Sequence, residues 1–225
     1  MAKKNDETLV DIEETLGSWE KHFTEYKNIY SYGTSAILAI VVLYMAYTQL
    51  VLAPKETEAA AQMFYAEQYF EKDSLDKAMF GDGVNLGFYD IIDDYGITSS
   101  ANLAHYYMGV GYLRKGEYQY AIDYLKKFKS KDNILAPVAL GAMADAYSEL
   151  EDFDKALSNY LKAANKSTNN FTTPMYLMRA AAVYEIKGNY KDAVKVYQQI
   201  KNDFPNTNEG RNIDKYLARA SSLAS

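Results

Sequence analysis

No cysteine occurs among the 225 residues, and there are only one tryptophan, two histidines and four prolines. The missing thiols exclude disulfides, an acylated lipoprotein cysteine and zinc sites of the usual structural kinds, and leave the redox compartment open. A basic surplus is lacking as well. The net charge of −6 argues against nucleic acid, because a binder of phosphate backbones needs a positive surface. Neither a nucleophile elbow nor a phosphate loop occurs. Gly81-Asp82-Gly83 with Asn85 lacks the alternating ligand run and final glutamate of a calcium loop, and reads as a turn. His22 lies in the N-terminal tail, and His105 reads as a packed side chain. No residue is therefore assigned to catalysis, to a metal or to a cofactor, and an enzyme is not expected.

The longest absence is of charge. From Asn28 to Pro54 there is no Asp, Glu, Lys or Arg. A helix over residues 30–53 would be about 36 Å long at roughly 1.5 Å per residue, enough to cross a bilayer core about 30 Å thick. Tyr30 and Tyr32 stand where an aromatic belt belongs. The 29 residues ahead of the run are too many for an ordinary signal-peptide leader, and Pro54 would hinder cutting after Ala53, so the span is expected to be an uncleaved anchor. Lys21 and Lys27 precede it closely and only Lys55 follows closely. That bias favours a cytoplasmic N-terminus.

What the chain has in quantity is tyrosine, 22 residues of it, in a composition that is 48% hydrophobic and 24% charged. Three segments align without gaps, starting at Tyr112, Tyr147 and Tyr184. Each places Gly or Glu four residues on, an aromatic six on and Ala nine on. Those alanines, Ala121, Ala156 and Ala193, are 35 and 37 residues apart. Twelve residues before each lies a small residue, Gly109, Ala144 or Ala181, so two helices can approach closely at that point. Gly116 and Gly188 supply the turn between them. Pro137 and Pro174 are expected at the first helical position, where a missing N–H costs nothing.

These segments resemble tetratricopeptide (TPR) repeats, whose period is about 34 residues. The expected fold is all-α, a TPR helical-hairpin solenoid preceded by a single transmembrane helix. The expected division is a cytoplasmic tail over 1–29, an anchor over 30–53, a degenerate first repeat over 55–98, three repeats over 99–207 and a capping helix over 208–225. In the degenerate copy Ala66 and Ala78 keep the twelve-residue offset, Gly81-Asp82-Gly83 interrupts the second helix, and that helix resumes at Leu86. A tail, one span, Ala59 to Phe70 and then a repeat array, with segments such as Leu103-Ala-His-Tyr-Tyr107 and Phe204-Pro-Asn-Thr-Asn-Glu-Gly210, resembles the ancillary subunit family of the bacterial SecYEG translocon, in its Bacteroidetes form. The resemblance implies a single-pass inner-membrane protein with periplasmic repeats. Its partners would be translocon subunits, periplasmic chaperones or emerging chains. An adaptor for cell-envelope or division machinery is the alternative.

The repeat frame, carried onto this chain, places Met63, Phe70, Leu103, Tyr106, Val110, Leu113, Arg114, Met175, Met178 and Ile186 in the groove formed by the first helices. Glu67, Glu71, Asp145, Glu149 and Glu185 fall among them, so an apolar, acid-edged groove is expected. The lysine and asparagine set that TPR carboxylate clamps use is missing. In the tail, Leu9, Ile12, Leu16, Trp19, Phe23 and Tyr26 recur at alternating three- and four-residue steps, an a/d seam running toward the span. A helix docking on a partner or on a second copy, a helix flat on the bilayer, and disorder all remain open for this segment, as does the oligomeric state.

Overall fold

A computed structural model of the chain describes Trp19, Lys21, His22 and residues 24–225. These residues fall in two units divided between Pro54 and Lys55. Of the tail seam, Leu9, Ile12, Leu16 and Phe23 lie outside the described residues, while Trp19 and Tyr26 are exposed.

The first unit is dominated by α1, Lys27–Tyr47, and none of its residues is buried. Ile37, Leu38, Ile40, Val42 and Leu43 all stand open. So much exposed apolar surface on one helix marks a contact with a membrane or a protein. The helical run Lys27–Glu71, which begins with α1, contains an 18-residue stretch of mean hydropathy 2.2 and is long and apolar enough to cross a membrane. Residues Thr48–Leu52 widen into a π turn. The reason is Pro54, which has no N–H and whose ring would meet the carbonyl four residues back, that of Leu50. A wider turn just upstream relieves both problems.

The second unit consists of helices, with no strand among the described residues. They are α2 (Ala53–Glu71), α3 (Leu75–Phe80), α4 (Phe88–Asp94), α5 (Ser99–Arg114), α6 (Tyr118–Lys127), α7 (Leu135–Glu149), α8 (Phe153–Lys166), α9 (Thr172–Ile186), α10 (Tyr190–Asp203), α11 (Asn208–Arg211) and α12 (Ile213–Leu223). From α5 to α10 each helix packs on the next, and α12 closes on α10. This is the stacking of a TPR solenoid.

One turn recurs four times. Ser74, Glu117, Asp152 and Asn189 each donate their backbone N–H to a tyrosine carbonyl five residues back, at Tyr69, Tyr112, Tyr147 and Tyr184, over 2.8–2.9 Å. The residue before each donor has positive φ: Asp73 57°, Gly116 75°, Glu151 58° and Gly188 70°. That pairing and that left-handed residue make a Schellman stop. The fourth copy, at Tyr69–Ser74, joins α2 to α3 by the same turn that joins the other helix pairs. The interrupted helix resumes at Phe88, two residues later than Leu86. Leu86 belongs to the connection, and the Asp82 carboxylate holds this turn by accepting from the N–H groups of Val84 and Asn85 and from the Asn85 side chain.

Helix starts are capped by side chains. Thr98 accepts from the Ala101 N–H, Asp152 from Lys155 and Thr207 from Gly210, at 3.0, 3.2 and 3.1 Å. Pro137 and Pro174 occupy the third helical position, not the first. Asp132 and Asn169, each five residues before a proline, set the start earlier. Asp132 accepts from the N–H groups of Ile134 and Leu135 and Asn169 from those of Phe171 and Thr172, all at 2.7–2.8 Å. The third N–H of a helix has no partner within it, so proline is tolerated there too.

The packing follows from the small residues. Ala121, Ala144, Ala156, Ala181 and Ala193 are fully buried. At Gly109 even a methyl group would fall 2.5 Å from the Leu125 side chain. Aromatics fill the space around these contacts, and Phe88 stacks on Tyr107 with centroids 4.7 Å apart.

Candidate functional site

The first helices of successive repeats form a continuous face, because α5 packs on α7 and α7 on α9. The face is not uniform along its length. Gly141 of α7 leaves room for the Tyr176 ring of α9, and a Cβ at Gly141 would lie 2.0 Å from that ring. The middle repeat thus contributes backbone and a neighbour's aromatic ring where the flanking repeats contribute their own side chains.

The ten residues assigned to the groove divide three ways. Met63 and Phe70 are buried and so unavailable to a partner. Phe70 lies edge-on to Phe88 and Tyr107, at 6.0 and 5.1 Å, with the Arg114 guanidinium 4.5 Å over its ring. Helix α4 folds Phe88 and Ile91 over this end of α2, and that closes the expected groove position. Leu103, Val110, Tyr106, Leu113, Met175 and Met178 are half-buried, each packed against one of the two core clusters with part of its surface free. Arg114 and Ile186 are exposed, Ile186 to 60%.

Most of the acids are already engaged. Asp145 accepts from the Tyr160 hydroxyl at 2.6 Å and pairs with Arg179 of the next repeat. Glu185 accepts from the Tyr197 hydroxyl at 3.1 Å and from Arg219 of the capping helix at 2.5 Å. Glu149 accepts from the Tyr118 hydroxyl at 3.2 Å. Burial, reinforced by the Glu67 carboxylate, pushes the Tyr107 hydroxyl up to about 12. Burial and then Asp145 raise Tyr160, and burial and then Glu185 raise Tyr197. All three phenols stay protonated and donate. Two of the five expected acids, Asp145 and Glu185, are thus neutralised by arginines, and the face is less anionic there than the sequence implies. Arg179 and Arg219 were missed, though a signal was there: Asp145 to Arg179 and Glu185 to Arg219 are both 34 residues, one repeat period.

His105 sits half-buried beside Tyr124, its centroid 5.9 Å away. Burial, with Lys127 nearby, lowers its pKa and keeps the ring neutral. Among the described residues no group of three or more His, Asp or Glu is placed to hold a metal ion.

A tetratricopeptide-repeat family model matches residues 103–132 and 176–207. The chain carries TPR repeats. No curated protein matches it. Among solved structures it is similar to a Podosopora anserina putative kinesin light chain with nearly identical TPR-like repeats, at 14% identity and a TM-score of 0.57, covering 75% of this chain and 87% of that one. A singly substituted form of the same protein matches with the same figures. These likenesses concern the fold alone. The TPR fold is typically a non-catalytic scaffold for protein–protein interaction, and that is the function class the repeats indicate.

Proposed function

We propose that this chain is a membrane-anchored TPR scaffold whose first-helix face holds a protein partner. Residues 30–53 are the anchor, the tail is cytoplasmic, and the repeats stand in the periplasm of a bacterial inner membrane. The observation that carries the binding reading is the first-helix face itself. It keeps Tyr106, Val110, Met178 and Ile186 partly or fully exposed while its carboxylates Asp145, Glu149 and Glu185 already have partners. Such a face selects apolar segments by shape, and the methionines adapt to varied ones. The lysine bias around the span supports the orientation, and the tail–span–array layout supports a place beside the Sec translocon with chaperones or emerging chains. The test is a pull-down from membranes in mild detergent. Sec subunits and folding factors should be enriched with the wild-type chain and lost with the Tyr106→Glu, Met178→Glu double variant. Enrichment of wall-synthesis proteins would favour the envelope adaptor instead. Capture unaffected by the double variant would remove the first-helix face as the site.

A further inference from the structure

A second recess lies away from that face. The end of α6, the connection after it and the near side of α7 enclose a cleft of about 360 Å³ floored by Leu125, Phe128, Ala136, Leu140 and Met143. A further depression of about 500 Å³ continues past Leu140 along α8, over Leu161. The two share Leu140 and Lys166, so they form one open trough. Its rim is cationic. Lys126 and Lys129 stand on one side, Lys162 and Lys166 on the other, and no carboxylate lines either part.

The sign of its charge sets this rim apart. The chain as a whole is anionic, with net charge −6. None of the four rim lysines forms an ion pair among the described residues, so their charge is not cancelled at the trough by a carboxylate of the chain. The nearest acid along the connection, Asp132, is turned onto backbone N–H groups. A lysine in the last turn of a helix has a reason of its own in the helix dipole, which covers Lys126 and Lys166. It does not account for Lys129 or Lys162, nor for the apolar floor between all four.

We propose that this trough is a second docking site, for a segment of a partner protein that presents apolar side chains flanked by carboxylates. The apolar floor takes the side chains, and the two lysine pairs face the charges on either edge. An open trough would leave too much of a small molecule wet, since drug-sized ligands bury about 70–90% of their surface in their sites. An extended segment can run its length. The occupant is opposite in charge to the rim, so association should be steered and should weaken with salt. This site shares no lining residue with the first-helix face and adjoins it only where Phe128 packs on Tyr106, with centroids 5.4 Å apart.

The experiment uses the full chain in non-ionic detergent and a fluorescein-labelled twelve-residue peptide of alternating Glu-Glu and Leu-Phe pairs, followed by anisotropy. Saturable binding is expected, weakened tenfold or more in the Lys162→Glu, Lys166→Glu double variant, with the circular dichroism melt showing that the variant is folded. The Met178→Glu, Ile186→Glu variant, whose two residues lie on α9 and line neither part of the trough, should bind the peptide as wild type does, which separates this site from the first-helix face. The same peptide with Gln for every Glu should bind at least tenfold more weakly. The proposal is overturned by any of three results: no binding up to millimolar peptide, equal binding by the lysine variant, or equal binding of the Gln peptide. If vesicles containing anionic lipid bind in a lysine-dependent way while the peptide does not, the trough is a membrane contact and the peptide reading fails.

Discussion

At the scale of single residues the four Schellman turns offer a controlled comparison, because the same backbone is built with different side chains. Gly116 and Gly188 fill the left-handed position without strain, while Glu151 fills it at φ 58°. A non-glycine residue held there costs about 1 kcal/mol or more, partly offset by the larger unfolded-state entropy of glycine. Replacing Glu151 with Gly should therefore raise stability by about 0.5–1 kcal/mol in urea titration, and a lower midpoint would contradict the strain. Gly141 is the opposite case. There the space is already filled by the Tyr176 ring, so Gly141→Ala should destabilise by about 1–3 kcal/mol through overpacking. The first of these features was legible in the sequence, since glycine or glutamate recurs at a fixed distance from the aromatic. The second was not, because nothing local marks Gly141 as facing a ring 35 residues further on.

Elements were legible where one residue type has one physical reason to be present. The small residues Gly109, Ala144 and Ala181 and the alanines Ala121, Ala156 and Ala193 are all buried, on helices that pack pairwise. Positions that depend on what covers them were not legible. Met63 and Phe70 hold frame positions that would face a groove, yet the pair α3–α4 buries them. The start of α5 is a similar case. Its N-terminal N–H groups at Ser99 and Ser100 donate to Glu56, at 2.6 and 3.0 Å, and the Ser100 hydroxyl adds a third bond at 2.6 Å. A carboxylate 43 residues upstream thus serves as the anionic cap that a helix N-terminus favours. Burial alone would raise the pKa of Glu56, but the Ser100 hydroxyl and the two backbone N–H groups outweigh it and hold the carboxyl below its usual range. A depressed carboxyl stabilises the fold above its unfolded pKa, about 4.3 for glutamate, and that stabilisation fades as pH falls toward the lowered value. Glu56→Gln should cost about 1 kcal/mol near neutral pH. The gap between wild-type and variant melting temperatures should then shrink as the buffer is taken below about pH 4, as Glu56 itself becomes neutral. A gap that persisted unchanged into acid would show that shape, not charge, caps α5.

For the molecule as a whole, the repeat unit is a line of nearest neighbours, and its stability should be distributed that way. Two first helices tie forward through an acid: Asp145 of α7 to Arg179 of α9, and Glu185 of α9 to Arg219 of α12. The last helix also covers α10. Tyr216 lies 5.8 Å from Tyr197, Ile213 and Ala220 are buried, and Asp214 pairs with Lys201 at 2.7 Å. Ending the chain at Thr207 would remove all of these at once. Tyr197 and Ile200 would meet water, and Glu185 would keep its tyrosine but lose its cation. In a solenoid an uncovered end destabilises its own repeat first and its neighbours less, since each repeat touches only those beside it. Hydrogen exchange read by mass spectrometry should therefore show protection falling steeply across α9 and α10 in the shortened chain, less in α7 and α8, and least in α5 and α6. Cooperative loss spread evenly from α5 to α10 would mean that the ties across repeats outweigh the packing within them. In that case the acid–arginine relay joins the array into one folding unit, and neutralising Asp145 alone should unfold it from the middle.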